Sequence, residues 1–167
     1  LQILYTRAAS VAYGSGLVFI ILPLAMLGIG LGGVFVFSRL NTLTREPHIN
    51  ACVVGCSLLY VMSILVPFLV LDPEERFSVA AFFLTGFVTY FLGGAIGAIL
   101  FRYYGAQTSR LYGVSLLGSA CGALGSILLL DHVGMPKTIM WVVVISSFSV
   151  ALYALDAGLG KRRLIPL

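Results

Sequence analysis

The chain has 167 residues, of which 60% are hydrophobic and only 10% charged, with a formal net charge of +4 and a mean hydropathy of +1.07. A soluble domain carries about a quarter charged residues, so a fully water-facing exterior is excluded and most of the outer surface must meet lipid. The basic residues sit at the ends of apolar runs rather than in a dense patch, which excludes a nucleic-acid-binding surface.

About 20 apolar residues cross the hydrocarbon core of a bilayer, and five such runs follow one another. They predict an all-α, polytopic transmembrane bundle that forms a single membrane domain over 1–167. The first run, 12–38, lies in a charge-free stretch between Arg7 and Arg39 and is long enough to tilt or to begin along the interface. Pro23 interrupts its hydrogen-bond ladder and predicts a kink. The second run, 51–71, follows a polar loop at 41–50 and carries Pro67 near its far end. The third, 77–101, follows the acidic turn Asp72, Pro73, Glu74, Glu75, Arg76. The fourth, 111–130, follows a polar loop at 102–110, and the fifth, 138–155, follows a short loop at 131–137 containing Gly134 and Pro136. The runs are continuous rather than alternating, so a β-barrel is not expected.

Charge sets the orientation. Arg39, Arg45, Arg102, Arg110, Lys161, Arg162 and Arg163 fall on one side of the predicted bundle, against Arg7, Arg76 and Lys137 on the other. The second side also holds Asp72, Glu74, Glu75 and Asp131. Lys and Arg collect on the cytoplasmic side, so the C-terminus is expected in the cytoplasm and the start of the chain outside, in a membrane of the bacterial inner-membrane kind. Lys161 to Arg163 read as a stop-transfer anchor. No charged leader precedes an apolar core, and the chain is read as starting inside a longer protein.

Glycine is the most informative residue. Gly28 with Gly32, Gly93 with Gly97, and Gly118 with Gly122 each make a GxxxG pair, supplemented by Gly30, Gly33, Gly94, Ser115, Ser119, Gly125 and Ser126. Small residues four apart make a flat strip on which two helix backbones approach closely, which predicts a tight core of the first, third and fourth spans. The run from Gly28 to Gly33 is not a dinucleotide loop, because no strand precedes it, and Gly158 to Lys161 lacks P-loop spacing.

Catalytic chemistry is not legible. No acidic, basic or histidine side chain falls in the centre of any span, which weighs against a proton-coupled pump. Cys52, Cys56 and Cys121 lie in apolar runs without companion ligands and read as small buried residues. His48 and His132 fall on opposite sides and cannot share a metal. Asp131 beside His132 has no accompanying nucleophile or pocket. Tyr13, Tyr60 and Tyr90 are candidate polar groups within the membrane, although tyrosine near a span boundary usually anchors the interface. Ser57, Ser63, Ser115 and Ser119 read as helix-packing hydroxyls. No cofactor or metal is expected.

Two stretches resemble a known family. One is Leu4-Tyr5-Thr6-Arg7 followed by Leu24 to Gly33; the other is Ser109 to Gly125, with Tyr112, Ser115, Gly118 and Gly122 at its heart. Together they resemble the membrane region of spermidine-synthase-like proteins, which carries a "W-T-R" before its second helix, a "GLGLGG" ending that helix, and a later "Y-x-x-D-x-x-G-A-x-x-G" helix. Here Ser115 stands where that pattern has its acid. The resemblance implies one further helix before Leu1 and a cytoplasmic aminopropyltransferase-like domain after Leu167, so that this chain would at most anchor such an enzyme. The residues themselves favour a non-catalytic membrane subunit that packs against helices of other subunits. The membrane anchor of a spermidine-synthase-like protein and a fragment of a small-solute transporter are the alternatives. The charge bias predicts that a reporter active only in the cytoplasm is active when fused within 41–50, within 102–110 or after Arg163, and silent when fused within 72–76. The reverse pattern would overturn the orientation.

Overall fold

The computed structural model describes residues 1–13, 16, 18–39, 49–69 and 79–163, without the side chains of 12, 13, 67–69, 79 and 156–163. Among them there is no strand. The elements are α1 (Gln2–Tyr13), α2 (Val18–Ser38), α3 (Ile49–Leu69), α4 (Val79–Tyr103), a single 3₁₀ turn (Gly105–Gln107), α5 (Thr108–Val133) and α6 (Met135–Arg163). Five of these helices, α2 to α6, are long and apolar enough to cross a membrane. A backbone in hydrocarbon has no water to bond with, so a helix that satisfies its own N–H and C=O groups is the form such runs must take.

The largest difference from the pattern expected of the sequence lies at the start. The run expected as one helix over 12–38 falls on two elements: α1 ends at Tyr13, Gly16 lies outside both helices, and α2 starts at Val18. Glycine carries the lowest helix propensity short of proline, and α1, with 12 residues, is too short to span. α2 runs on through Pro23. The expected loop at 131–137 shrinks to one residue: α5 continues through Asp131 and His132, and only Gly134, at φ +80°, leaves helical geometry. Glycine has no Cβ to clash there. Its carbonyl then accepts both the backbone N–H of Thr138 at 3.1 Å and the Thr138 hydroxyl at 2.8 Å, which starts α6. Pro136 sits in the first turn of α6, where its missing N–H costs nothing. The expected loop at 102–110 is reduced to Tyr104 and the 3₁₀ turn, because α4 runs to Tyr103 and α5 starts at Thr108. The loops at 41–48 and 72–78, with Arg45, His48, Asp72, Glu74, Glu75 and Arg76, lie outside the described residues.

Two buried clusters mark the two ends of the bundle. At one end Tyr5, Ala8 and Ala9 of α1 meet Ile21 of α2 and Phe82 of α4, with Met135 of α6 against them. At the other, Val36 of α2, Ile49 and Val53 of α3, and Ala95 and Ile99 of α4 come together, with Tyr153 of α6 alongside. The first cluster gathers the starts of α2, α4 and α6; the second gathers their far halves and the start of α3. This is the up-and-down arrangement that five consecutive spans require. Arg39, Arg102 and Arg110 stand at the end marked by the second cluster, Arg7 and Lys137 at the end marked by the first. Tyr153 ties α6 to α3 by donating its hydroxyl to Asn50 Oδ1 at 3.2 Å.

The two clusters are joined by the seam between α2 and α4. A Cβ placed on Gly28 would lie 2.8 Å from Tyr90 Cβ, and one on Gly32 would collide with the Phe91 carbonyl and lie 2.8 Å from the Ala95 nitrogen. A Cβ on Gly94 would collide with the Ile29 carbonyl and stand 2.7 Å from Ile29 Cα. The obstacles are main chain, so no rotamer change relieves them. Phe35 and Phe91 flank the seam with ring centroids 5.7 Å apart. Substituting Gly94→Ala should therefore destabilise the detergent-solubilised protein by about 1–3 kcal/mol, while Gly118→Ala, with open space around it, should change stability by less than about 0.5 kcal/mol. Thermal unfolding of the two variants side by side checks this, and equal melting temperatures would contradict the seam.

Candidate functional site

The predicted packing glycines divide into three groups. Gly28 and Gly32 lie in the α2–α4 seam, opposite Gly94 rather than Gly93 or Gly97. Gly93 faces the Tyr60 ring, whose Cε2 would be 3.5 Å from an added Cβ. Gly97, Gly118 and Gly122 have nothing within 4 Å of where a Cβ would be. The core expected from the first, third and fourth spans is thus, within this chain, a two-helix contact. α5 stands apart: only 6% of its membrane-crossing window is buried, against 28% for α4.

The small-residue face of α5 lines a cleft instead. Ser115, Gly118, Ser119, Gly122, Gly125 and Ser126 form one wall, Val142, Ile145 and Ser146 of α6 another, and Tyr60 of α3 and the first turn of α1 close the back. The cleft has a volume of about 740 Å³. Leu129 of α5 also borders the cleft, while the rest of that wall is mostly glycine and serine and so leaves the space open. Ser126 is buried and donates to its own helix at the Ala123 carbonyl, 2.9 Å away. Ser115 and Ser119, two of the expected packing hydroxyls, are exposed on the cleft wall. Cys121 is exposed and borders the cleft, which corrects the expectation that all three cysteines are buried; Cys52 and Cys56 are half-buried on α3.

Behind the cleft lies a cluster of hydroxyls that the sequence pattern only partly singles out. Tyr5 of α1 packs between Phe82 and Tyr90, with ring centroids at 5.5 and 5.8 Å. Gly86 leaves room for its ring, since a Cβ there would stand 3.3 Å from Tyr5 Cε1. The Tyr5 hydroxyl is 3.4 Å from Thr89 Oγ1. Thr89, fully buried, reaches the Thr85 carbonyl of its own helix at 2.9 Å and the Ser63 carbonyl of α3 at 3.3 Å. Ser63 in turn donates to the Tyr60 carbonyl at 2.8 Å. One threonine hydroxyl therefore connects α1, α3 and α4. Burial pushes the Tyr5 phenol above its ordinary range, and the Thr89 hydrogen bond opposes this. Tyr5 stays a neutral phenol. Tyr90 is 7% exposed in the interior of α4, so it is a core residue rather than an interfacial anchor, and its hydroxyl has no hydrogen-bond partner among the described residues. The Tyr13 side chain lies outside the described residues. Tyr5 escapes a reading by apolar runs because it precedes them, although Leu4, Tyr5, Ala8 and Ala9 share one helix face at the spacing of a packed helix.

The remaining candidates stay at the periphery. Arg39 follows α2, Arg102 lies in the last turn of α4 and Arg110 in the first turn of α5. Arg45 is outside the described residues, and Lys161, Arg162 and Arg163 continue the α6 backbone with side chains undescribed. His132 Nδ1 is 3.0 Å from the Leu128 carbonyl of its own helix. Among the described residues no group of His, Cys, Asp and Glu could hold a metal ion. Comparison of the chain with protein-family models, with curated proteins and with solved structures finds no match.

If the Thr89 hydroxyl couples α1 to the bundle through Tyr5, a double-mutant cycle of Tyr5→Phe and Thr89→Val measured by thermal unfolding should give an interaction energy of about 0.6 kcal/mol, the usual size for a polar pair between membrane helices. Strict additivity would show that the two hydroxyls stabilise the protein independently.

Proposed function

We propose that this chain is a non-catalytic integral membrane subunit whose α5–α6 cleft seats a helix of a partner subunit. The observation that carries this reading is the small-residue face of α5. Gly118 and Gly122 sit in open space with Ser115 and Ser119 beside them, while the equivalent strip on α2 is filled by α4. Lipid tails are as apolar as leucine, so helix association in a bilayer is driven by close backbone packing and interhelical hydrogen bonds rather than by hydrophobic burial. A strip of glycine and serine offers both. It offers little to an acyl chain, which gains more contact on a surface of large side chains.

In this reading the chain sits in a bacterial inner membrane with its C-terminus in the cytoplasm, a placement supported by the basic residues at that end. Among the described residues that line the cleft, the polar side chains are serine and tyrosine hydroxyls, a thiol and a glutamine amide.

Gentle detergent extraction from the native membrane, followed by mass spectrometry of the co-migrating chains, tests the reading. The expected result is a partner membrane protein in integer ratio that cross-links through the native Cys121 and is lost on Gly122→Trp, which fills the cleft. Two results would overturn it. One is a chain that migrates alone with Cys121 uncross-linked. The other is a single longer polypeptide bearing a soluble α/β domain, which would support the anchoring role that the resemblance to spermidine-synthase-like proteins implies.

A further inference from the structure

A second groove, which shares Gln2 and Ile3 with the cleft, runs along α1. Leu4, Tyr5, Ala8 and Ala9 are buried against the bundle, whereas Arg7 and Ser10 are exposed and, with Gln2, Ile3 and Thr6, form one wall of a groove of about 630 Å³. The other wall is Val18 and Phe19, at the start of α2. Phe19 is 80% exposed. Among the described residues no carboxylate lines the groove.

The packing of α1 sets the depth of this groove. Ala8 and Ala9 share a cluster with Ile21, Phe82 and Met135, each within about one helical turn of the start of α2, α4 or α6. That level is where three spans enter the membrane. Tyr5 lies a turn deeper, beside Gly86 and Thr89, and Leu1 borders the cleft together with Tyr60 of α3. α1 therefore dips from the interface toward the middle of the bilayer, and Arg7 stands close to the interfacial level. From there a guanidinium reaches the headgroup region with its stem along apolar surface.

We propose that this groove binds one membrane phospholipid, its phosphodiester held by Arg7 with Ser10 alongside, and one acyl chain lying against Val18 and Phe19. The chemistry matches wall by wall. A guanidinium forms paired, charge-assisted hydrogen bonds to phosphate oxygens. The Ser10 hydroxyl adds a donor along the same face, while Thr6 gives its hydroxyl hydrogen to the Gln2 carbonyl at 2.9 Å, and an aromatic and a β-branched residue supply the apolar wall. A soluble anion would match the first wall and gain nothing from the second; a partner carboxylate would match Arg7 and leave the apolar wall unused.

The test is native mass spectrometry of the full chain, released from detergent after delipidation and titrated separately with dioleoylphosphatidylglycerol, dioleoylglycerol and inorganic phosphate. Wild-type protein should retain one phosphatidylglycerol, no dioleoylglycerol and no phosphate. Arg7→Gln should weaken phosphatidylglycerol retention roughly five- to tenfold, while Arg110→Gln, at the other end of the bundle, leaves it unchanged. Phe19→Asn should weaken retention of the dioleoyl lipid more than that of its dihexanoyl counterpart, which is too short to use the apolar wall. Equal retention by wild type and Arg7→Gln would overturn the proposal, as would retention of inorganic phosphate as strong as that of the lipid, or a Phe19 effect independent of chain length. The Phe19 comparison still tests the groove where Arg7→Gln fails to fold.

Discussion

The contact on which the rest of the bundle depends is the main-chain approach of α2 to α4. Gly32 lies against the Phe91 carbonyl and Gly94 against the Ile29 carbonyl, closer than any side chain would allow. In a bilayer there is no hydrophobic gain from bringing two apolar helices together, so the attraction has to come from atoms in van der Waals contact and from weak polar contacts between backbones. Glycine makes both available because it removes the side chain that would hold the helices apart. Once α2 and α4 are in register, their ends create the two clusters. Ile21 and Phe82 form the floor for α1, while Val36, Ala95 and Ile99 receive α3.

The same physics explains why α5 and α6 are loosely held. α6 touches the bundle near its two ends, at Met135 and at Tyr153, and α5 precedes it through a one-residue turn at Gly134. Between them the α5 wall is too short-sided to close on α6. A strip that forms a seam where a partner backbone is present forms a cleft where none is. The difference between Gly32 and Gly122 is one of neighbours, not of local sequence.

α1 introduces a second kind of surface. Its inner face is anchored by Tyr5, whose ring fills the space left by Gly86 and whose hydroxyl meets Thr89. Its outward side carries Arg7 and Ser10 beside the exposed Val11. A helix that lies partly within the bilayer and carries Arg7 on that face differs from the five spans, whose outward faces are dominated by residues such as Phe19, Met26, Leu84 and Phe148. The chain thus combines a lipid-facing exterior with two local departures from it, one small-sided and one polar.

The fold class was legible because the requirement is collective. Five apolar runs of sufficient length, separated by glycine, proline and charge, leave a bilayer-spanning helical bundle as the arrangement that satisfies the backbone. The GxxxG at Gly28 and Gly32 was legible for the same kind of reason, since spacing along one helix defines a face. What spacing cannot define is which other helix meets that face. Gly94 rather than Gly93 or Gly97 seats Ile29, Gly118 and Gly122 border a cleft, and Tyr5, in a short helix ahead of the apolar runs, is a core residue. Each of these outcomes rests on the relative placement of two helices. That placement comes from interactions between residues distant in the chain, such as Tyr5 with Thr89 or Asn50 with Tyr153, and only the tertiary structure brings them together.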